Sequence, residues 1–300
     1  MRSQFPLRPA AGVRSPGLRG PWCAGRRARP GTSPARVYRW GAAPPVGRRA
    51  GEPEPSEGEP SVSGAVGVVE VYLARHGQTW FNKRDRAQGW CDSPLTGAGH
   101  ELAAAVGRGL ASGGVVLDAA YSGDMARHHE TARGILDGMG SSLPVVQLRE
   151  LREMSFGGWE GGSNADMWRA CWAGLGVTTD EEAFARGLSL TDVYDGISAS
   201  NPDPEYPAES TAVVAERAGG ALEEIASAEG SRRGRSRVLV VTSGITIVCV
   251  LASLGLASRT RIRNGSVSLL RHDASGWTAE TVDDLSWARR GGSSPAGTTP

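Results

Sequence analysis

An α/β fold is predicted by three features of the sequence. Val68 to Leu73 is a run rich in β-branched and aromatic residues, long enough for one buried strand, and it stops abruptly at Arg75-His76-Gly77. Val238 to Val241 is a second such run, and Thr242-Ser243-Gly244 parts it from an apolar helix expected at Ile245 to Leu254, as a buried α/β core requires. Between the two, Leu102, Val106 and Leu110 are spaced along one helical face behind an N-cap at Thr96.

The other elements follow in order. A second strand is predicted at Ala119 to Ser122, and a third around Val145 and Val146. From Gly162 to Pro207 the pattern is weak, although Trp168 and Trp172 lie four apart, as on one helix face, where mutual packing is the simpler use for them than stacking on a ligand. Ser210 is the expected N-cap of a long helix carrying Val213, Val214, Arg217, Leu222 and Ile225 towards Ala228. Arg232 to Arg237 reads as a solvated basic turn, Ser266 to Arg271 as a strand, and Trp277 to Val282 as an edge strand. Residues 1–64, dense in Pro, Gly and Arg, and residues 288–300, without apolar pattern, are expected to be disordered tails.

Composition narrows the function. With 33 basic against 32 acidic residues, no global field favours nucleic acid or a membrane surface. The first fifty residues carry eleven arginines and no acid, but their prolines and glycines oppose an amphipathic transit helix, and no apolar core for secretion is present there. Val238 to Ser258 holds 21 residues without a charge, yet its internal Thr-Ser-Gly argues against a membrane span. The cysteines (Cys23, Cys91, Cys171, Cys249) show no Cys-x-x-Cys spacing, which suits a reducing cytoplasm and neither zinc nor a disulfide framework. Cys91 lies near the motif below and is expected to be a half-buried small side chain.

Ligands of an open α/β sheet bind beyond the carboxyl ends of its strands, which puts Arg75-His76 at the mouth of a crevice. An arginine fork can hold a phosphoryl oxygen, Gly77 permits close backbone approach, and adjacent guanidinium charge favours a neutral, nucleophilic His76. Taken alone, Arg-His-Gly fits a hydrogen-bonded packing histidine better than a catalytic one. Its company changes the reading: Asn82, then Arg86-Ala87-Gln88-Gly89-Trp90, then Asp92-Ser93-Pro94-Leu95-Thr96. This stretch resembles the opening motif of the histidine phosphatase superfamily, the phosphoglycerate-mutase-like proteins, Arg-His-Gly-x-Thr…Asn…Gln-Gly-x-x-Asp-x-Pro-Leu-Thr.

The resemblance continues. Ser122…Arg127…Thr131-Ala132 matches the segment that places a second arginine on the phosphate, and Leu151-Arg152-Glu153…Phe156-Gly157…Glu160-Gly161 matches the one that supplies the acid. By this match Glu153 is the acid, and Glu160 is left to bind backbone amides. The resemblance implies a three-layer α/β/α sandwich with a mostly parallel sheet over residues 65–287, with a substrate-covering cap at about 162–207. It also implies a phosphomonoesterase for a small phosphorylated metabolite, with a phosphohistidine on His76 and no metal or organic cofactor. Arg75, Asn82, Gln88, Gly89, Arg127, Ser243 and Gly244 would bind the phosphoryl group, and Glu153 would protonate the leaving oxygen.

One position departs from the pattern. Ser243-Gly244 stands where the family has His-Gly, and a serine can donate a hydrogen bond but cannot carry charge. By analogy with a lost oxyanion donor, on the order of 10²–10³ in rate is at stake. His272 falls on the following strand, and His128 or His129 would have to reach in from the arginine helix. Those two with Glu130 form no obvious metal site, because neighbours on a helix point different ways. A non-catalytic phosphate-binding protein therefore stays open. So does a mutase, although Met154-Ser155-Phe156 supplies none of the basic residues that would hold a phosphoglycerate carboxylate.

Overall fold

The computed structural model describes residues 67–256 and 259–293. Its elements run β1 (Val68–Arg75), α1 (Trp80–Lys83), α2 (Gly97–Ser112), β2 (Ala119–Gly123), α3 (Ala126–Met139), β3 (Val145–Leu148), α4 (Asn164–Leu175), α5 (Asp180–Ala185), α6 (Leu190–Ala199), α7 (Thr211–Arg233), β4 (Arg235–Thr242), α8 (Gly244–Ser253), β5 (Val267–Asp273), β6 (Gly276–Asp284) and α9 (Ser286–Arg290). The strands form one sheet in the order β3-β2-β4-β1-β5-β6. The first four are mutually parallel, and β5 and β6 close one side antiparallel.

Period-two alternation along the central strands makes the three layers. Val69, Val71 and Leu73 of β1 and Val238 and Val240 of β4 point into one core with α7, α8 and the helices between Ser163 and Ser200. Tyr72 and Ala74 of β1 and Leu239 and Val241 of β4 point into the other, against α2, α3 and α9. Both strands are buried on both faces, which is why they read as continuous apolar runs. The uncharged stretch after Arg237 is indeed split into β4 and α8, and no helix among the described residues is long and apolar enough to cross a membrane.

Two expectations need correction, and one lies out of view. Arg232 to Arg237 is solvated at Arg232 and Arg235 but is not all turn: the chain passes from α7 into β4 there, and Arg235 and Arg237 both pair with the buried Glu70 at 2.6 and 2.7 Å. Residues 288–290 are not the tail expected there, because they belong to α9, which packs Trp287 and the fully buried Ala288 against the α2–α3 layer. The expected tail at 1–64 lies outside the described residues, as do residues 294–300.

Candidate active site

The carboxyl ends of β1 and β4 meet side by side. Arg75 is in register with Thr242, and His76 N donates to Thr242 O at 2.9 Å, so His76 and Ser243 leave adjacent strands at the same level. The chain then turns sharply. Gly77 is pressed so closely on the first turn of α2 that a Cβ would lie 2.7 Å from Gly99 O, and Gly77 N donates to Thr131 Oγ1 at 3.0 Å. Asn264 braces the turn from the far side, donating to His76 O at 3.0 Å.

His76 is buried, and its Nδ1 lies 2.8 Å from Gly77 O. A carbonyl can only accept, so the proton sits on Nδ1 and the lone pair on Nε2. Burial, then the charges of Arg127 and Arg75, hold this imidazole well below the usual histidine range. It is a neutral base with its nucleophilic nitrogen exposed by tautomer. The charge effect expected from sequence is present, but burial outweighs it.

His76 lines a cavity of about 600 Å³ together with Arg75, Asn82, Gln88, Glu153 and Gly244, six of the nine residues expected at the site. Arg75 donates to Ile262 O and keeps a buried Nε without a partner. Asn82 accepts from Thr79 N at 3.1 Å in a capping box that fixes α1. Gln88 Oε1 accepts from Thr79 Oγ1 at 2.8 Å and Ser93 Oγ at 3.0 Å, which fixes the amide so that its Nε2 is left as an unpaired donor. Free buried donors beside a nucleophile suit an anionic group.

The remaining three are not among the residues that line this cavity, although Ser243 adjoins two that are, Gly244 in sequence and His76 across the strand ends. Gly89 N donates to Glu160 and Gly89 O accepts from Arg127. Ser243 is fully buried and bonded to His128 at 2.7 Å. Arg127, expected on the phosphate, is instead tied down: its Nη1 donates to Cys91 O at 3.0 Å and Asp92 Oδ1 at 2.9 Å, and its Nη2 to Gly89 O at 2.6 Å. The cause is long-range packing of the Gly89–Asp92 loop over a guanidinium with no exposed surface. Its Nε stays unpartnered, and its charge still reaches His76.

The acid and its setting form a second cluster. Glu153 Oε1 accepts from Met154 N, Thr246 N and Thr246 Oγ1, and Oε2 accepts from Ile245 N at 3.2 Å. The carboxylate therefore caps α8, where the first-turn amides and the helix dipole welcome negative charge. Glu160 behaves as its motif suggested, accepting from the amides of Gly89, Trp90, Cys91 and Phe156. Arg217, expected from the sequence only as a residue of the long helix, donates to the carbonyls of Glu150, Arg152 and Glu153 and pairs with Glu209, clamping the acid's segment. Burial pushes the Cys91 thiol up, in keeping with an unreactive side chain.

The cavity also has apolar and aromatic lining, interspersed with polar residues such as Asp85, Arg86, Glu101 and Asn164. Phe156, Met167, Trp168, Tyr194, Ile245 and Ile262 line it. Trp168 stacks on Trp172 with centroids 5.3 Å apart, as helix packing required, and Arg261 lies 4.1 Å over the Trp168 ring. Arg261 is held by both oxygens of Asp180, and Arg263 by Asp283, so carboxylates balance both guanidinium groups.

Comparison with known proteins gives the geometry its relatives. Residues 71–285 match the histidine phosphatase superfamily (branch 1). A Salmonella arizonae protein named "Probable phosphoglycerate mutase GpmB" is 33% identical over 229 residues, 73% of this chain and 94% of that one. The crystal structure of a phosphoglycerate mutase from Bacillus anthracis superimposes with a TM-score of 0.69 at 34% identity, over 76% of this chain and 98% of that one. A mycobacterial glucosyl-3-phosphoglycerate phosphatase, at 22% identity and a TM-score of 0.52 over 72% of this chain and 99% of that one, shares the fold. The phosphoglycerate-mutase-like fold, the matched residues and the relatives agree: the chain belongs to the histidine phosphatase superfamily.

Proposed function

We propose that this protein is a phosphomonoesterase working through a phosphohistidine on His76. The observation that carries this is the bond from His76 Nδ1 to Gly77 O, which leaves the lone pair on Nε2 beside a cavity lined by Arg75, Asn82, Gln88 and Glu153. Nε2 attacks phosphorus, the phosphorus–oxygen bond breaks with its electrons on the ester oxygen, and Glu153, which takes up the proton that a monoanionic ester brings into the cavity, gives it to that oxygen. The resulting Glu153 carboxylate takes a proton from water, whose oxygen attacks phosphorus. The nitrogen–phosphorus bond then breaks, which releases phosphate and returns neutral His76. Arg75, Asn82 and Gln88 hold the phosphoryl oxygens throughout. Arg127 acts from behind the wall as a fixed positive charge.

The cavity supports a substrate with an apolar or ring-bearing group. Phe156, Met167, Tyr194, Ile245 and Ile262 line the same cavity as the expected phosphoryl-binding residues, and about 600 Å³ is more than a three-carbon ester fills. The two relatives at 33% and 34% identity are named mutases, whereas the mycobacterial neighbour is named a phosphatase. Against a mutase, the residues after the acid, Met154, Ser155 and Phe156, are buried and uncharged, and Arg261 and Arg263 are already neutralised by carboxylates. Purified protein should hydrolyse p-nitrophenyl phosphate and acquire acid-labile label on His76 from a radiolabelled ester. His76→Ala should abolish both. Turnover that survives His76→Ala sinks the mechanism, and conversion of 3- to 2-phosphoglycerate faster than phosphate release makes it a mutase.

A further inference from the structure

His128 sits on α3 one residue beyond Arg127 and is fully buried. Its ring lies 5.6 Å from that of His76, tilted by 43°, and its Nε2 is 2.7 Å from Ser243 Oγ. The ring fits there because residue 123 is glycine: a Cβ at that position would fall 2.2 Å from His128 Nδ1. Glycine at 123, histidine at 128 and serine at 243 are thus one packed unit. It places an imidazole beside the position where the family's second histidine is expected.

The polar accounting assigns the protons. His128 Nδ1 faces Gly123 and has no partner. A buried orphan N–H is rarer than an unsatisfied acceptor, so the proton belongs on Nε2, which donates to Ser243 Oγ. Ser243 is the N-cap of α8 yet makes no side-chain cap bond, because Glu153 takes the amides of Ile245 and Thr246. Its hydroxyl hydrogen is therefore uncommitted among the described residues, at the strand end next to His76.

We propose that His128 is a positioning residue which, by donating to Ser243 Oγ, directs the serine hydroxyl at a phosphoryl oxygen carried by His76. This rests on the phosphomonoesterase reading above. No net proton moves. As negative charge grows on the phosphoryl oxygens, Ser243 O–H donates to one of them, and the bond from His128 Nε2 polarises that hydroxyl. A chain of two side chains thus does the donating work of one longer one, and Arg127 stays free to brace the loop.

The test compares kcat and KM for p-nitrophenyl phosphate in Ser243→Ala, His128→Leu, His128→Gln and the Ser243→Ala/His128→Leu double variant. Loss of one donor predicts that kcat falls by on the order of 10²–10³ in the alanine and leucine variants, with KM little changed. The double variant should be no slower than the worse single. His128→Gln keeps a donor near Nε2 and should recover most of kcat, whereas a packing role would make leucine and glutamine alike. His129→Ala, whose ring bonds Gln147 at the surface, is the control expected to match wild type. Retained inorganic phosphate binding shows that each variant is folded. Should His128→Leu lower phosphate binding as well, Ser243→Ala, which removes one oxygen, decides alone. Wild-type turnover with unchanged kcat in Ser243→Ala overturns this inference and leaves the phosphohistidine intact, whereas absence of label on His76 overturns the parent mechanism.

Discussion

Glu160→Gln isolates how much the site depends on one half-buried clasp. The carboxylate takes two amides on each oxygen: Trp90 N at 2.7 Å and Phe156 N at 2.9 Å on Oε1, Gly89 N at 3.1 Å and Cys91 N at 2.8 Å on Oε2. Glutamine keeps one acceptor and turns the other into an NH₂ that faces two N–H groups. Two bonds to a charged acceptor are therefore lost outright, at about 1.5–3 kcal/mol each, and the surviving pair is weakened by the loss of charge. The clasp is half-buried, so water can relieve part of this, and the net expectation is about 2–4 kcal/mol. Set against a typical domain stability of about 5–15 kcal/mol, that is severe but survivable.

The same loop carries function. Gly89 O and Cys91 O are the acceptors that hold Arg127, and Gln88 precedes them. Loosening the clasp should let the amide of Gln88 and the charge of Arg127 drift from the phosphoryl position, raising KM by tenfold or more. Urea denaturation followed by tryptophan fluorescence reads the stability, since Trp90 reports from within the loop, and steady-state hydrolysis reads KM. A stability change under 1 kcal/mol with KM unaltered would refute the idea that this carboxylate organises the loop.

Two further outcomes follow from the same geometry. Glu153→Gln retains the acceptor that takes three donors and loses only the bond from Ile245 N, so folding should change by about 1 kcal/mol. Its kcat should drop by on the order of 10²–10⁴ for an alkyl phosphate and far less for p-nitrophenyl phosphate, whose oxygen leaves without a proton; equal losses on both esters would remove Glu153 as the acid. His76 and His128 are both held well below the ordinary histidine range, by burial first and Arg127 second. The unfolded chain then binds protons that the folded one refuses, so their stabilising effect is complete above about pH 6.5 and shrinks as pH falls below it, at a limit of about 1.4 kcal/mol per unit for each ring. Between pH 6.5 and 5.5, His128→Gln should halve that slope in urea titrations, and an unchanged slope would count against a neutral buried His128.

What could be read from the chain was local, and what could not was contact between distant segments. Arg75-His76-Gly77 announced itself because a strand end, a cation and a glycine are consecutive, and Thr242-Ser243-Gly244 announced the break between β4 and α8 in the same way. The acid was legible only through resemblance, since nothing near Glu153 says that α8 will offer it the amides of Ile245 and Thr246, some ninety residues on. Asn264 behind His76, Arg217 under the acid loop and Asp92 on Arg127 are each a polar residue in an unremarkable setting, given purpose only by chain closure. Arg127 was found by its motif, but its contacts with the Gly89–Asp92 loop were not. Its position on α3 was fixed by the helix start, but its hydrogen bonds depend on where the Gly89–Asp92 loop comes to rest.

The helix cap joins these observations into one mechanism of assembly. An N-terminal turn offers several free amides, and a serine at the N-cap ordinarily takes one of them. At α8 the acid takes them instead, so capping the helix and placing the proton donor are a single act, and the serine hydroxyl is released for other use. That release is of value only if something else fixes the hydroxyl, and the His128 ring, admitted by Gly123, lies at hydrogen-bond distance from it. Lengthening the side chain at 243 with His128 still in place should therefore disturb the site rather than repair it: Ser243→His must displace a buried ring 2.7 Å away, at an overpacking cost of about 1–3 kcal/mol. Lower stability and lower kcat in that variant would mean that the serine belongs to a rebuilt donor pair. A faster, equally stable enzyme would mean that the pair is only the residue of a lost one.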